Sequence, residues 1–128
     1  MSIELNHIIV KVLDKHRSAR FLADLLGLQV GRQWGPFVPV QTSNGVTLDF
    51  WDNDPSEVVE QHYAFLVSEA EFDAIMARIE RAGVTFFADP DRRQPGRINR
   101  HDGGRGAYFL DPSGHNMEII TRPYGAAG

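Results

Sequence analysis

Four polar side chains in this sequence have the types and spacing needed to bind a divalent metal ion: His7, Asp49, His62 and Glu118. Each lies in a run in which polar and apolar residues alternate, which is typical of a β-strand with one buried face. In each run the apolar residues point away from the polar one, so we expect the four polar side chains to share the opposite, concave surface. Two imidazoles and two carboxylates form a mixed nitrogen and oxygen set that suits Fe, Mn, Ni or Zn.

The positions of these residues follow an internal repeat. His62 lies 55 residues after His7, and Gly83 lies 56 residues after Gly27. Each half of the chain reads as a strand, a helix and three further strands. A repeat of this kind describes one supersecondary unit used twice. The sequence therefore predicts an α+β protein of two tandem βαβββ modules, the first at residues 1–52 and the second at residues 58–122, within a single domain 1–128.

The helices and turns of both modules carry recognisable boundary residues. Asp14 is expected to cap the first helix, and Gly27 suits its left-handed end. Ser68 and Glu71 fit a capping box at the start of the second helix. The predicted strands of the first module are residues 3–12, 28–34, 37–42 and 46–51. Those of the second are residues 62–67, 84–88, 108–110 and 115–121, the last two joined by the turn Asp-Pro-Ser-Gly.

Composition excludes several classes of protein. The chain has 128 residues, of which 42% are apolar and 23% charged, as in an ordinary globular domain. Its net charge of -4 argues against a general nucleic-acid binder. It has no cysteine, so a disulfide framework, a thiolate nucleophile and a cysteine metal site are excluded. Neither a signal peptide nor a membrane-spanning stretch is visible, and we expect a cytoplasmic location.

The segments that carry the four polar residues resemble those of the vicinal oxygen chelate superfamily. LNHIIVKV carries His7, GVTLDFW carries Asp49, QHYAFLVSEAEFDAIMARIERAGV carries His62, and YFLDPSGHNMEI carries Glu118. The superfamily contains glyoxalase I, fosfomycin-resistance proteins, extradiol dioxygenases and bleomycin-binding proteins. The resemblance implies the glyoxalase/dioxygenase fold, a curved mixed sheet around a metal cup, and a homodimer. It also implies metal binding by His7, His62 and Glu118, with Asp49 as a fourth ligand or beside the ligands.

Features of three subfamilies are present together. NRHDGGRGAYFLDPSGHNME fits the extradiol dioxygenase signature except at Ala107. This resemblance would make His101 a proton-handling residue and Tyr108 a substrate hydrogen-bonder, both catalytic. Asp49 favours the glyoxalase pattern instead. The second half resembles fosfomycin-resistance proteins, but Ile9 stands where those proteins usually have Thr, and their basic tail is longer.

The loop 89–105 is rich in arginine and glycine. It is either a solvated surface loop or a mobile lid whose guanidinium groups meet an anionic substrate. The predicted substrate-binding residues are Arg100 and Arg105 of this region and Trp51, which shares a strand face with Asp49.

These observations favour an enzyme over a binding module. The predicted activity is divalent-metal-dependent and dioxygenase-like, of the extradiol ring-cleavage type, on a small anionic or catecholic substrate that chelates through its oxygens. The alternatives are a glyoxalase I-like lyase or isomerase, a fosfomycin-resistance-like thiol transferase, and a non-catalytic bleomycin-type binding protein. Neither a nucleic-acid nor a membrane partner is expected.

Overall fold

The computed structural model describes residues 2–125, in which the strands form two mixed sheets and two α-helices accompany them. The chain divides into two compact units between Val59 and Glu60. We call them the first unit and the second unit. In the described residues no helix has both the length and the apolar character that crossing a membrane requires.

The first unit contains a three-stranded sheet and one helix. Its elements are β1 (His7–Val12), α1 (Lys15–Leu26), β2 (Phe37–Gln41) and β3 (Thr47–Asp52). The sheet order is β1-β3-β2, with β1 parallel and β2 antiparallel to β3. The predicted cap of α1 is confirmed, because the Asp14 side chain accepts a hydrogen bond from the Arg17 backbone N–H at 3.1 Å. Gly27 ends the helix in the left-handed conformation, with φ of 73°.

The predicted strand at residues 28–34 is wrong. Only isolated bridges form there, from Val30 to Val40 and from Trp34 to Phe37. The Gly31 N–H donates to the Pro39 carbonyl at 2.8 Å, but Pro39 has no N–H with which to return a bond. A glycine facing a proline therefore interrupts the ladder, and the first unit is βαββ rather than βαβββ.

The second unit contains a four-stranded sheet and one helix. Its elements are β4 (His62–Leu66), α2 (Glu69–Arg81), β5 (Phe86–Phe87), β6 (Gly106–Leu110) and β7 (Asn116–Ile120). The sheet order is β4-β7-β6-β5, with β4 parallel to β7 and the other pairs antiparallel.

The local signals predicted for the second unit are confirmed. The Ser68 hydroxyl accepts a bond from the Glu71 N–H at 3.0 Å, and the Glu71 carboxylate accepts one from the Ser68 N–H at 2.9 Å. The hairpin between β6 and β7 turns at Asp111–Gly114, where the Gly114 N–H donates to the Asp111 carbonyl at 2.9 Å. Gly114 has φ of 90°, which a glycine adopts without strain.

Alternation along the strands separates an apolar face from a polar face in each sheet. The apolar face of the first sheet is buried, and α1 packs on β2 and β3. The core of the second unit contains buried side chains from β6, β7 and α2. These side chains are Ala107, Phe109, Met117, Ile119, Phe72, Ile75 and Ile79. Burying each large apolar side chain contributes about 1.5–3 kcal/mol. Because this packing fixes the strand register, it also fixes which polar residues stand on the opposite face.

Candidate active site

Glu118 is the centre of the candidate site. It lies in the middle of β7, which has β4 on one side and β6 on the other, and its side chain is fully buried. Its register partners are Ala64 on β4 and Tyr108 on β6, so these three side chains share one face of the sheet. A buried carboxylate needs hydrogen-bond or metal partners to offset its lost hydration. Glu118 therefore points to a site rather than to packing alone.

His62 is the first partner of this carboxylate. Its Nε2 atom lies 2.8 Å from Oε1 of Glu118, and 46% of its side chain is exposed. Two ligand atoms bound at right angles to one metal, each at about 2.1 Å, are about 3 Å apart. His62 Nε2 and Glu118 Oε1 are thus already separated as two neighbouring ligands would be, and one nitrogen and one oxygen donor suit a divalent transition metal. This pair fits the predicted metal.

A chain of two tyrosine hydroxyls leads to the other oxygen of the carboxylate. The Tyr124 hydroxyl donates to Oε2 of Glu118, and it lies 2.8 Å from the Tyr108 hydroxyl. Because Tyr124 gives its single proton to Glu118, Tyr108 must donate to Tyr124. Burial is the main cause that raises the pKa of both tyrosines, and the Glu118 carboxylate raises both further. Both hydroxyls therefore stay protonated at neutral pH.

Two further features complete this face of the second sheet. The His62 and Tyr108 rings meet edge to face, with centroids 5.6 Å apart. Asn116 lies on the same strand face as Glu118; its amide nitrogen donates to the Pro90 carbonyl at 3.1 Å, but its buried Oδ1 has no hydrogen-bond partner in residues 2–125. Such an oxygen is an acceptor that a bound water or substrate donor would satisfy.

The first unit carries the other two predicted ligands. His7 is exposed, and its Nδ1 lies 2.8 Å from Oδ1 of Asn6. Asp49 is buried in β3, opposite Ile9 of β1, and within the described chain its Oδ1 accepts no hydrogen bond. His7 and Asp49 share one face of the first sheet, two residues apart in register. A buried carboxylate oxygen without a donor is a suitable place for a cation.

No three His, Cys, Asp or Glu side chains form a ready metal-binding group anywhere between residues 2 and 125. Metal binding by all four residues, His7, Asp49, His62 and Glu118, therefore stays a prediction.

The remaining predicted site residues lie in the loop before β6 and on β3. His101 opens a short 3-10 turn, His101–Gly103, and is exposed, as is Arg100. Trp51 is half-buried with its ring 5.9 Å from that of Phe37. These three stay predictions.

Arg105 is held against α2 of its own unit. Its Nε lies 2.7 Å from Oε1 of Glu69 and its Nη1 lies 2.9 Å from Oδ1 of Asp73, while its guanidinium lies 4.4 Å from the centre of the Phe72 ring. These contacts give Arg105 a structural role. Its predicted role in substrate binding stays untested.

Tyr124 is the site residue that the sequence analysis missed. It follows β7 in the segment after the last strand, where no periodicity or motif links it to Glu118. Asn116 could be predicted from the sequence, because side chains two residues apart on a strand lie on the same face, here the face of Glu118.

Comparison with known proteins gives a family match and several similar structures. Residues 4–119 match the model of the glyoxalase/bleomycin resistance protein/dioxygenase superfamily. Glutathione transferase FosA of Serratia marcescens is 32% identical over 120 residues, which cover 90% of this chain and 78% of FosA. The solved structure of oxidase ChaP-H2 is 60% identical, covers all of both chains and superposes with a TM-score of 0.96. Fosfomycin resistance protein FosX of Listeria monocytogenes is 21% identical over the full length of both chains, with a TM-score of 0.75, which shows the fold alone.

These likenesses confirm the predicted α+β fold of the glyoxalase/dioxygenase type. They also confirm the prediction of an enzyme, since the relatives include an oxidase and a transferase. They leave the reaction open.

Proposed function

The chain belongs to the glyoxalase/bleomycin resistance protein/dioxygenase superfamily, and we propose that it is a divalent-metal-dependent, dioxygenase-like enzyme that acts on a small substrate chelating through two neighbouring oxygens. The observation that carries this proposal is the buried Glu118 carboxylate, with His62 Nε2 at 2.8 Å from one oxygen and the Tyr124 hydroxyl bonded to the other. The name of the 60% identical relative, an oxidase, supports the same class of reaction. Cleavage of a catechol ring in the extradiol manner is the specific reaction that we propose.

His62 and Glu118 would hold the metal through Nε2 and Oε1. We propose His7 as a further ligand, because its position in the first half of the repeat matches that of His62 in the second half. The metal, when bound, would polarise the substrate oxygens and stabilise negative charge on them. As metal ligands, Glu118 would bind as the carboxylate and His62 as the neutral imidazole through Nε2.

The other residues of the site orient the substrate and handle its protons. The Tyr108 ring stands beside His62 on the sheet face. Its hydroxyl is proposed to bond a substrate oxygen, which would require it to leave its present bond to Tyr124. We propose His101 as the acid–base group, because its imidazole is exposed in the loop before β6 and an imidazole can both accept and donate a proton. Arg100 and Trp51 are proposed to bind the substrate, and Arg105 would do so only if it left Glu69 and Asp73.

A second candidate is lyase or transferase chemistry with a metal that takes no part in redox. The unpartnered Oδ1 of Asp49 favours a glyoxalase-like lyase with a carboxylate as fourth ligand. The 32% identity to FosA favours a thiol transferase, although Ile9 departs from the fosfomycin-resistance pattern.

Oxygen uptake by freshly Fe(II)-loaded protein on a panel of catechols tests the proposal. We expect uptake, a yellow ring-cleavage product and loss of both in Glu118→Gln. Oxygen-independent turnover of a hemithioacetal by the Ni- or Zn-loaded protein would favour the lyase. Consumption of glutathione with fosfomycin by the Mn-loaded protein would favour the transferase.

We also propose that the enzyme is a homodimer. β1 lies at the edge of its sheet, and the exposed apolar side chains Leu5 and Ile9 lie before and within it. An open sheet edge with apolar neighbours is a surface that pairing removes from water. Sedimentation that showed a monomer at micromolar concentration would contradict the dimer.

A further inference from the structure

Tyr124 connects the end of the chain to the centre of the second sheet. It lies four residues beyond Ile120, where β7 ends, and more than half of its surface is exposed. Its hydroxyl nevertheless reaches Oε2 of Glu118, while Tyr108 donates to the same hydroxyl at 2.8 Å. Both hydrogen-bonding capacities of the Tyr124 hydroxyl are thereby used, one toward each neighbour.

We propose that Tyr124 is a positioning residue for Glu118, which it restricts to one-oxygen binding of a divalent metal. This inference rests on the metal-dependent function proposed above. The Tyr124 hydroxyl bonds Oε2, whereas Oε1 is directed to His62 Nε2 at 2.8 Å, so this bond favours Oε1 as the oxygen that binds a metal.

The physical reason is that a carboxylate can bind a metal ion in more than one arrangement. A carboxylate with both oxygens free can bind a metal through one oxygen or through both, and it can rotate between these arrangements. A hydrogen bond donated to one oxygen selects a single arrangement and orients the other lone pairs. Groups that hold a metal ligand in this way are commonly worth 10–100-fold in metal affinity.

Tyr108 supports Tyr124 rather than Glu118 itself. Although Tyr108 is the register partner of Glu118 across β6 and β7, its hydroxyl bond goes to Tyr124. Removing the Tyr108 hydroxyl leaves the bond from Tyr124 to Glu118 in place. Tyr108→Phe should therefore weaken metal binding less than Tyr124→Phe does.

The test compares Tyr124→Phe with Tyr63→Phe, using Co²⁺ as the probe. Tyr63 is a half-buried tyrosine of the same sheet on the opposite face, edge to face with His115. Co²⁺ affinity is measured by competition with a chelator, and ligand geometry by the visible d–d spectrum. For Tyr124→Phe we expect an affinity about 10–100-fold lower and a changed spectrum, with unchanged circular dichroism. Tyr63→Phe should match the wild type in all three measurements.

Other outcomes separate this inference from the proposed dioxygenase-like reaction. Wild-type affinity and an unchanged spectrum in folded Tyr124→Phe would overturn the inference, as would a wild-type protein that binds no Co²⁺. Equal losses in Tyr124→Phe and Tyr63→Phe would also overturn it, because they would indicate a general effect on packing. Co²⁺ binding that depends on Tyr124 in a protein that consumes no oxygen with any catechol would support the inference and refute the proposed dioxygenase-like reaction.

Discussion

His62 and Glu118 approach each other diagonally across two parallel strands. In the register of β4 and β7, His62 faces Asn116 and Glu118 faces Ala64, yet Nε2 and Oε1 lie only 2.8 Å apart. The two side chains therefore lean toward one another along the sheet. A hydrogen bond of this length requires a proton between the two atoms, and a metal would take the place of that proton.

Replacing Glu118 by Gln should abolish metal binding without unfolding the protein. Gln has the same size and keeps hydrogen-bonding partners for His62 and Tyr124, but it lacks the negative charge that a divalent metal requires. We expect Co²⁺ affinity to fall by more than about 100-fold, since a ligand matters more than the groups that orient it. Metal analysis and thermal unfolding would measure the two effects. Glu60→Gln, which removes an exposed partner of Arg92 at 3.6 Å, is the control and should keep its metal.

His101→Ala should keep its metal and lose most of its turnover. His101 is exposed in the loop before β6, so its removal leaves the buried carboxylate and the core intact. General acid–base assistance contributes about 10²–10⁴-fold, and we expect a loss of that order in oxygen uptake. His16→Ala, an exposed histidine on α1, should retain full activity. Full turnover in His101→Ala would exclude it as the proton-handling group.

Arg105→Gln should reduce stability more than it reduces catalysis. The guanidinium bonds to Glu69 and Asp73 and lies over the Phe72 ring, so it fastens the start of β6 to α2. The contact with the ring alone is worth about 0.5–1 kcal/mol at a site of this kind. We expect a lower midpoint of urea unfolding, with unchanged oxygen uptake per folded molecule. Arg97→Ala, an exposed arginine of the same loop, serves as the control. A raised KM with unchanged stability in Arg105→Gln would instead support substrate binding by this residue.

The capping box of α2 should make stability depend on pH in the acid range. Hydrogen bonds from Ser68, first that of its backbone N–H, hold the pKa of Glu71 below its ordinary value. A carboxyl group whose pKa is lower in the folded state contributes stability above its unfolded pKa, near 4.3, and that contribution is lost as pH falls through the folded pKa. The wild type should thus be more stable than Glu71→Gln near neutral pH, and the two should converge as pH falls through the lowered pKa of Glu71 in the folded state. Urea unfolding at several pH values measures this difference. Glu80→Gln removes a charge at the other end of α2, where the helix dipole does not favour an acid, and should not destabilise the protein.

The sequence by itself determined the features of this protein that depend on residues close to one another along the chain. Asp14 and the Ser68–Glu71 pair cap their helices through bonds to residues three positions away, so the residue types alone predict them. Strand alternation has the same local origin, and together with the hairpin turn between β6 and β7 it places Tyr108 and Glu118 on one face. The strand expected at residues 28–34 failed because its outcome depended on Pro39, a residue in another strand.

Only the tertiary structure decided whether Glu118 is buried and which distant side chains contact the site and its surroundings. Whether Glu118 faces water or is enclosed depends on the strands beside β7, and the order β4-β7-β6-β5 places it in the interior of the sheet. The Tyr124 hydroxyl reaches Glu118 because the chain turns back after β7, and Arg105 reaches α2 across 36 residues of sequence. Such contacts join groups that no periodicity relates. They are fixed by the packing of whole elements, since only packing brings distant polar atoms within hydrogen-bond range of a buried charge.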